Sequence, residues 1–89
     1  MIYTQQNFSQ NKFMRIFGVD VDSDELHWHR DVKNRAVKVI QGGDWKFQME
    51  DELPITLTDN MTLYISKEVY HRVIKGSDDL IILITEENE

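Results

Sequence analysis

Hydrophobic and polar positions in this 89-residue chain alternate with a period of two, and no stretch of eleven or more residues keeps the 3.6-residue period of an amphipathic helix. Trp45-Lys46-Phe47-Gln48-Met49-Glu50 alternates strictly and predicts a strand with one buried face. Before it, the β-branched run Arg35 to Gln41 ends at Gly42-Gly43-Asp44, where glycine reaches positive φ freely; the pattern predicts a hairpin with 45–50 as the returning strand. Phe13 to Phe17 reads as a strand that kinks at Gly18 and ends in the acidic turn Asp20 to Asp24. Glu25 to Asp31 is strand-like, and Val32-Lys33-Asn34 closes it with a short loop. After the turn at Asp51 to Pro54, strands are predicted over 55–58, 61–66, 69–75 and 80–85, each bounded by turn residues. Met1 to Asn11 is Gln/Asn-rich and reads as an arm or an edge strand. About eight short strands at this spacing predict an all-β sandwich or small barrel, one domain over 1–89.

Charge narrows the partners. Lys plus Arg total 10 against 16 for Asp plus Glu, a formal net charge of -6, so neither nucleic acid nor an anionic membrane is expected to bind. Part of the acidic excess lies at Asp20 to Asp24 and in Glu86 to Glu89, both of which read as solvated. Cysteine is absent, which excludes disulfides and thiolate metal sites. The first ten residues are polar and uncharged, and no apolar run approaches the ~20 residues of a membrane span, so a cytoplasmic protein is expected.

The chain holds three histidines, and two of them stand in His27-Trp28-His29. On a strand, residues i and i+2 share a face, so His27, His29 and Asp31 are expected on one side, with Leu26, Trp28 and Arg30 on the other. Two imidazoles so placed can share a metal ion, and a third from a distant strand would complete a set with open positions. His71 is the remaining histidine. On the outer side, Trp28 is a costly residue to leave in water and predicts a homodimer interface, or else packing under the N-terminal arm. Val37, Val39, Phe47, Met49, Leu63 and Ile65 have the parity of barrel lining, while Gln41, Gln48, Tyr64 and Tyr70 read as rim residues. Asp20-Val21-Asp22-Ser23-Asp24 opens like a calcium loop, but Glu25 stands where the sharp turn needs glycine. With no cysteine and no free Ser/His/Asp set, nucleophilic catalysis is not expected.

His27-x-His29, Gly42, and the frame Asn60, Ser66, Glu68 and His71 resemble the two motifs of the cupin family, over roughly residues 15–85. The resemblance implies a double-stranded β-helix, or jelly-roll barrel, with His27, His29 and His71 as ligands of one divalent metal. Iron is the first expectation, with manganese, nickel, zinc or copper as alternatives. The chain departs from the pattern at Arg35, which stands seven positions before Gly42, where the family carries a glutamate ligand. An arginine cannot ligate a metal. If it points inward it needs a partner: Asp31 or Glu50 within the protein, or the carboxylate or phosphate of a small-molecule substrate that Arg35 would anchor. Ser66 and Glu68 stand where the second motif has proline and glycine. The implied function is a small metal-binding cupin, possible chemistry being of oxygenase, isomerase or lyase type on a small anionic substrate. The alternative is a non-catalytic module that binds a sugar or small acid.

Overall fold

The computed structural model describes residues 2–87 and is built almost entirely of strands. In chain order these are β1 Thr4–Asn7, β2 Lys12–Phe17, β3 Asn34–Gln41, β4 Lys46–Met49, β5 Ile55–Thr56, β6 Thr62–Ile65, β7 His71–Ile74 and β8 Leu80–Glu87. All pairings are antiparallel, in a five-stranded sheet of order β1-β2-β8-β3-β6 and a three-stranded sheet of order β5-β4-β7. Among the described residues no helix is long and apolar enough to cross a membrane.

Period-two alternation places the core between the two sheets. Phe13 and Phe17 of β2, Val37 and Val39 of β3, Ile65 of β6 and Leu80, Ile82 and Ile84 of β8 face inward and meet Phe47 of β4, with Trp45 and Leu57 closing the gap. The expected lining residues fit this arrangement: Val37, Val39, Phe47 and Ile65 are buried, and Met49 and Leu63 pack against them. The same alternation continues past the apolar part. Arg15 lies in phase with Phe13 and Phe17, Arg35 with Val37 and Val39, and Glu86 with Leu80, Ile82 and Ile84, so one end of the barrel carries inward-facing charge.

Two predicted elements are corrected. Gly42-Gly43-Asp44 does not close a hairpin, since β3 pairs with β6 and β8 while β4 pairs with β5 and β7. The turn instead carries the chain from one sheet to the other through a crowded corner. A Cβ on Gly42 would collide with the Leu57 carbonyl oxygen, and Gly43 adopts φ +57 beside the Asp78 and Asp79 carbonyls. Buried Trp45 pins that corner by donating its indole N–H to the Asp78 carbonyl at 2.6 Å. Nor is Glu25 to Asp31 a strand. Ser23–Glu25 forms a 3-10 turn capped by Asp22, whose side chain accepts from the Asp24 N–H, and the chain then runs irregularly to a single bridge between His29 and His71. The N-terminal segment does form an edge strand, β1.

Candidate metal centre

His29 and His71 exchange both backbone hydrogen bonds, at 3.0 and 2.8 Å, so His29 sits beside the first residue of β7 at the edge of the small sheet. From there the chain crosses to the start of β3 in the large sheet, and Asp31 lies on that crossing. The result is a group of three ligand-type side chains, His29, Asp31 and His71, whose donor atoms all lie within 4.8 Å of one another. His71 is the only buried polar residue among those described, at 4% exposure, whereas His29 is open to solvent. The two rings meet edge to face with centroids 4.3 Å apart.

Local hydrogen bonds settle which ring nitrogens point into this group. Nδ1 of His71 lies 2.9 Å from the Val69 carbonyl oxygen and Nδ1 of His29 lies 3.2 Å from the His27 carbonyl oxygen. A carbonyl only accepts, so each Nδ1 carries a proton, and Nε2 of each ring is the atom left to take a second proton or a metal ion. Asp31 faces them from a different tether. Its Oδ1 is 3.3 Å from an Arg35 nitrogen, while its Oδ2 is 3.3 Å from Nε2 of His71. That Oδ2 is buried and has no hydrogen-bond partner among the described residues. Two lone-pair atoms thus face each other in a dry place, an arrangement that needs a shared cation, either a proton on Nε2 or a metal ion. The donor set fits a metal: two neutral imidazoles and one carboxylate, with solvent access on the His29 side.

Electrostatics keep the group ready for a cation. Burial raises the Asp31 carboxyl, but a hydrogen bond from a protonated His71, the Arg35 guanidinium and the charge of His71 and His29 when protonated outweigh it, and the net pKa lies below the usual value. Burial lowers the His29 pKa, and the neighbouring His71 adds to that effect against the pull of the His27 carbonyl, so the ring is biased towards its neutral, ligating form.

The expected site residues are distributed differently from the sequence reading. His29 and His71 come together. His27 lies outside the group and contributes its carbonyl to His29, while its residue lines the neighbouring cleft. Arg35 points inward, and its guanidinium is held by Asp31 on one side and by Glu86 on the other, at 2.9 Å. Glu50 is not its partner; that side chain accepts from the Tyr70 N–H. Glu86, read as part of a solvated tail, is instead the last inward residue of β8 and directly opposite Arg35 in the ladder; Glu89 lies outside the described residues. Asp31 was expected on the histidine face, yet only as a partner for Arg35. Its place two residues after His29 was the signal for a ligand. Arg15 was not singled out, although its parity with Phe13 and Phe17 put it on the inner face. Of the predicted rim residues, Gln41 donates to the Asp79 carbonyl and Gln48 accepts from Arg72, so both are engaged away from the group.

No protein-family model matches the chain, and neither does any curated protein. Solved structures do. A DMSP lyase structure matches with a TM-score of 0.74 at 16% identity, over 86% of this chain and 37% of that one. An RmlC-like cupin with a double-stranded β-helix fold from Methanocaldococcus jannaschii matches with a TM-score of 0.69 at 14% identity, over 96% of this chain and 78% of its own. The fold is the cupin double-stranded β-helix. Fe(II) HppE is similar over 85% of this cupin-fold chain and 41% of its own length, with a TM-score of 0.67 and 12% identity. The chain thus spans well under half the length of the two enzymes just named. At the first resemblance, Arg35 stands where the cupin pattern has a glutamate, and the carboxylate near the two histidines is that of Asp31. In the second, the backbone keeps the shape that glycine would favour: Asn60 and Glu68 adopt φ 72 and 63.

Proposed function

We propose that this cupin-fold protein holds one divalent metal ion on His29, Asp31 and His71 and uses it on a small anionic molecule. The observation that carries the proposal is the buried Oδ2 of Asp31, which has no well-formed hydrogen bond and lies 3.3 Å from Nε2 of His71, whose Nδ1 is turned to the Val69 carbonyl. Two imidazoles and a carboxylate with open positions suit iron(II) best, and manganese, nickel, zinc and copper follow. When bound, such an ion supplies Lewis-acid or redox chemistry. The chain's own residues then do the rest. Arg35, fixed by Glu86, holds Oδ1 of Asp31 and so aims Oδ2 at the imidazoles. The cleft beside the group, about 340 Å³ and lined by His27, Arg15, Arg35 and the apolar Ile2, Phe17 and Leu26, is where a substrate would sit. Arg35, expected as a substrate anchor, also lines this cleft, but its guanidinium is paired with Asp31 and Glu86, so its part here is to position Asp31. A lyase and an Fe(II) protein among the similar structures support oxygenase, isomerase or lyase chemistry.

The alternative reading is a binding module in which His71 carries a proton and forms a buried ion pair with Asp31. Elemental analysis of untagged protein separates the two. Wild type is expected to retain close to one equivalent of a transition metal, with affinity falling at least about 100-fold in Asp31→Asn and His71→Ala and unchanged in His27→Ala. Loss of metal in His27→Ala would favour the three-histidine set. Negligible metal in wild type, and none taken up on titration, would leave the ion pair.

We also propose that two copies pair through the face that carries Trp28. Trp28 is 42% exposed, with the Arg72 guanidinium 4.8 Å from its ring centroid. Light scattering is expected to give a dimer for wild type and a monomer for Trp28→Ala; a monomeric wild type overturns it.

A further inference from the structure

The barrel end beside the candidate metal group contains two inward guanidiniums with unequal obligations. Arg35 is bound by two carboxylates, Asp31 and Glu86. Arg15 is bound by none: among the described residues it forms no ion pair, and only its Nε donates, to the Gln5 side-chain oxygen at 2.9 Å. Among the described residues its terminal nitrogens have no hydrogen-bond partner. The group is nonetheless held in place, stacked 4.1 Å from the centroid of the Tyr3 ring and 5.0 Å from that of Phe13. It lines both the barrel interior, whose other walls are largely apolar, and the cleft, where Phe17, Leu26 and Val73 stand beside Glu25 and Asp31. An immobilised fork of donors beside an apolar stretch of wall is a site for a planar anion.

We infer that Arg15 is the anchor for the carboxylate of a small monocarboxylic acid, whose short apolar body lies against Phe17, Leu26 and Val73 and whose other end reaches the metal group. The inference rests on the proposed function for the second contact but not for the first. A single free guanidinium, with Glu25 and Asp31 also on the cleft wall, matches one negative charge rather than the two of a phosphate ester. Neither a sugar nor any uncharged ligand would satisfy the terminal nitrogens as well. Sequence alone hid the site because the free arginine and the carboxylate-bound one lie on different strands in the same phase.

The test is calorimetric titration of butyrate, with inorganic phosphate and glucose as comparison probes, into metal-free and manganese-loaded protein. Wild type is expected to bind butyrate at least tenfold more tightly than phosphate or glucose. Arg15→Met, which keeps the stem against Tyr3, is expected to weaken butyrate at least tenfold while its manganese affinity stays within twofold of wild type. Arg15→Lys keeps charge and loses the fork, with an expected loss of about threefold; it covers the case in which Arg15→Met fails to fold. Equal butyrate binding in wild type and both variants overturns the anchor, as does tighter binding of phosphate than of butyrate. If wild type takes up no metal, the metal reading fails by itself, and Arg15-dependent binding of butyrate to the metal-free protein still upholds the anchor.

Discussion

Asp31 shows how position, more than residue type, creates a ligand. It is one of 16 acidic residues in the chain, and what distinguishes it is that one oxygen is tied to Arg35 while the other is buried against His71. Its titration follows from that environment. The folded carboxyl sits below its ordinary value of 3.8, so its stabilising contribution is complete above that value and is lost as pH falls through the lower folded pKa. His29 acts in the window above. Its folded pKa is depressed below 6.5, so as pH falls from 6.5 towards the folded value the unfolded chain takes up the proton first, and stability declines. For metal-free protein, denaturant titrations across pH are expected to show a decline that starts near pH 6.5 and a further one below 3.8. His29→Gln should flatten the first and Asp31→Asn should diminish the second. An acid decline of the same size in Asp31→Asn would show that this carboxyl is not held as described. Spacing pointed to His29, His71 and Arg35, which the fold brings to one end of the barrel, but not to Arg15. What spacing could not reveal was that His27 would turn away, because that depends on the backbone of 26–30 being irregular.

At the level of elements, the period-two pattern identified β2, β3, β4, β6, β7 and β8, and with them nearly all of the core. It failed where a local signal had two structural outcomes. Gly42-Gly43-Asp44 has the residues of a tight hairpin, yet glycine is required there because the Leu57, Asp78 and Asp79 carbonyls crowd the corner between sheets. Local sequence reports a need for small residues and positive φ; only the packing partners say why. The histidine run failed for a related reason. Its alternation imitated a strand, but the 3-10 turn at Ser23–Glu25 feeds it in at an angle, and it finds a single bridge instead of a ladder. That brevity is what allows 29–31 to pass from the small sheet to β3 and bring a histidine and a carboxylate to one point. The cross-strand pair of Arg35 and Glu86 was similarly invisible, since 51 residues separate the two and register alone brings them opposite.

For the molecule as a whole, the candidate centre acts as a clasp between the two sheets. His71 belongs to the small sheet, Asp31 leads into the large one, and 39 residues of chain lie between them. In the unfolded state only the His29-x-Asp31 pair is preserved by local sequence, so a metal ion gains its third ligand only on folding. Binding to the native state alone stabilises it by about 2.7 kcal/mol at a free metal concentration one hundred times the Kd. In a domain of this size each kcal/mol raises Tm by about 4–8 °C. Metal-free wild type is therefore expected to melt roughly 10–20 °C higher when manganese or iron(II) is supplied at that excess. His27→Ala should respond as wild type does, because His27 lies outside the group. His71→Ala should show almost no shift, since the remaining pair is available to folded and unfolded chains alike. A full shift in His71→Ala would mean that the ion binds elsewhere, and no shift in wild type would mean that the proton, not a metal, is the cation between Asp31 and His71.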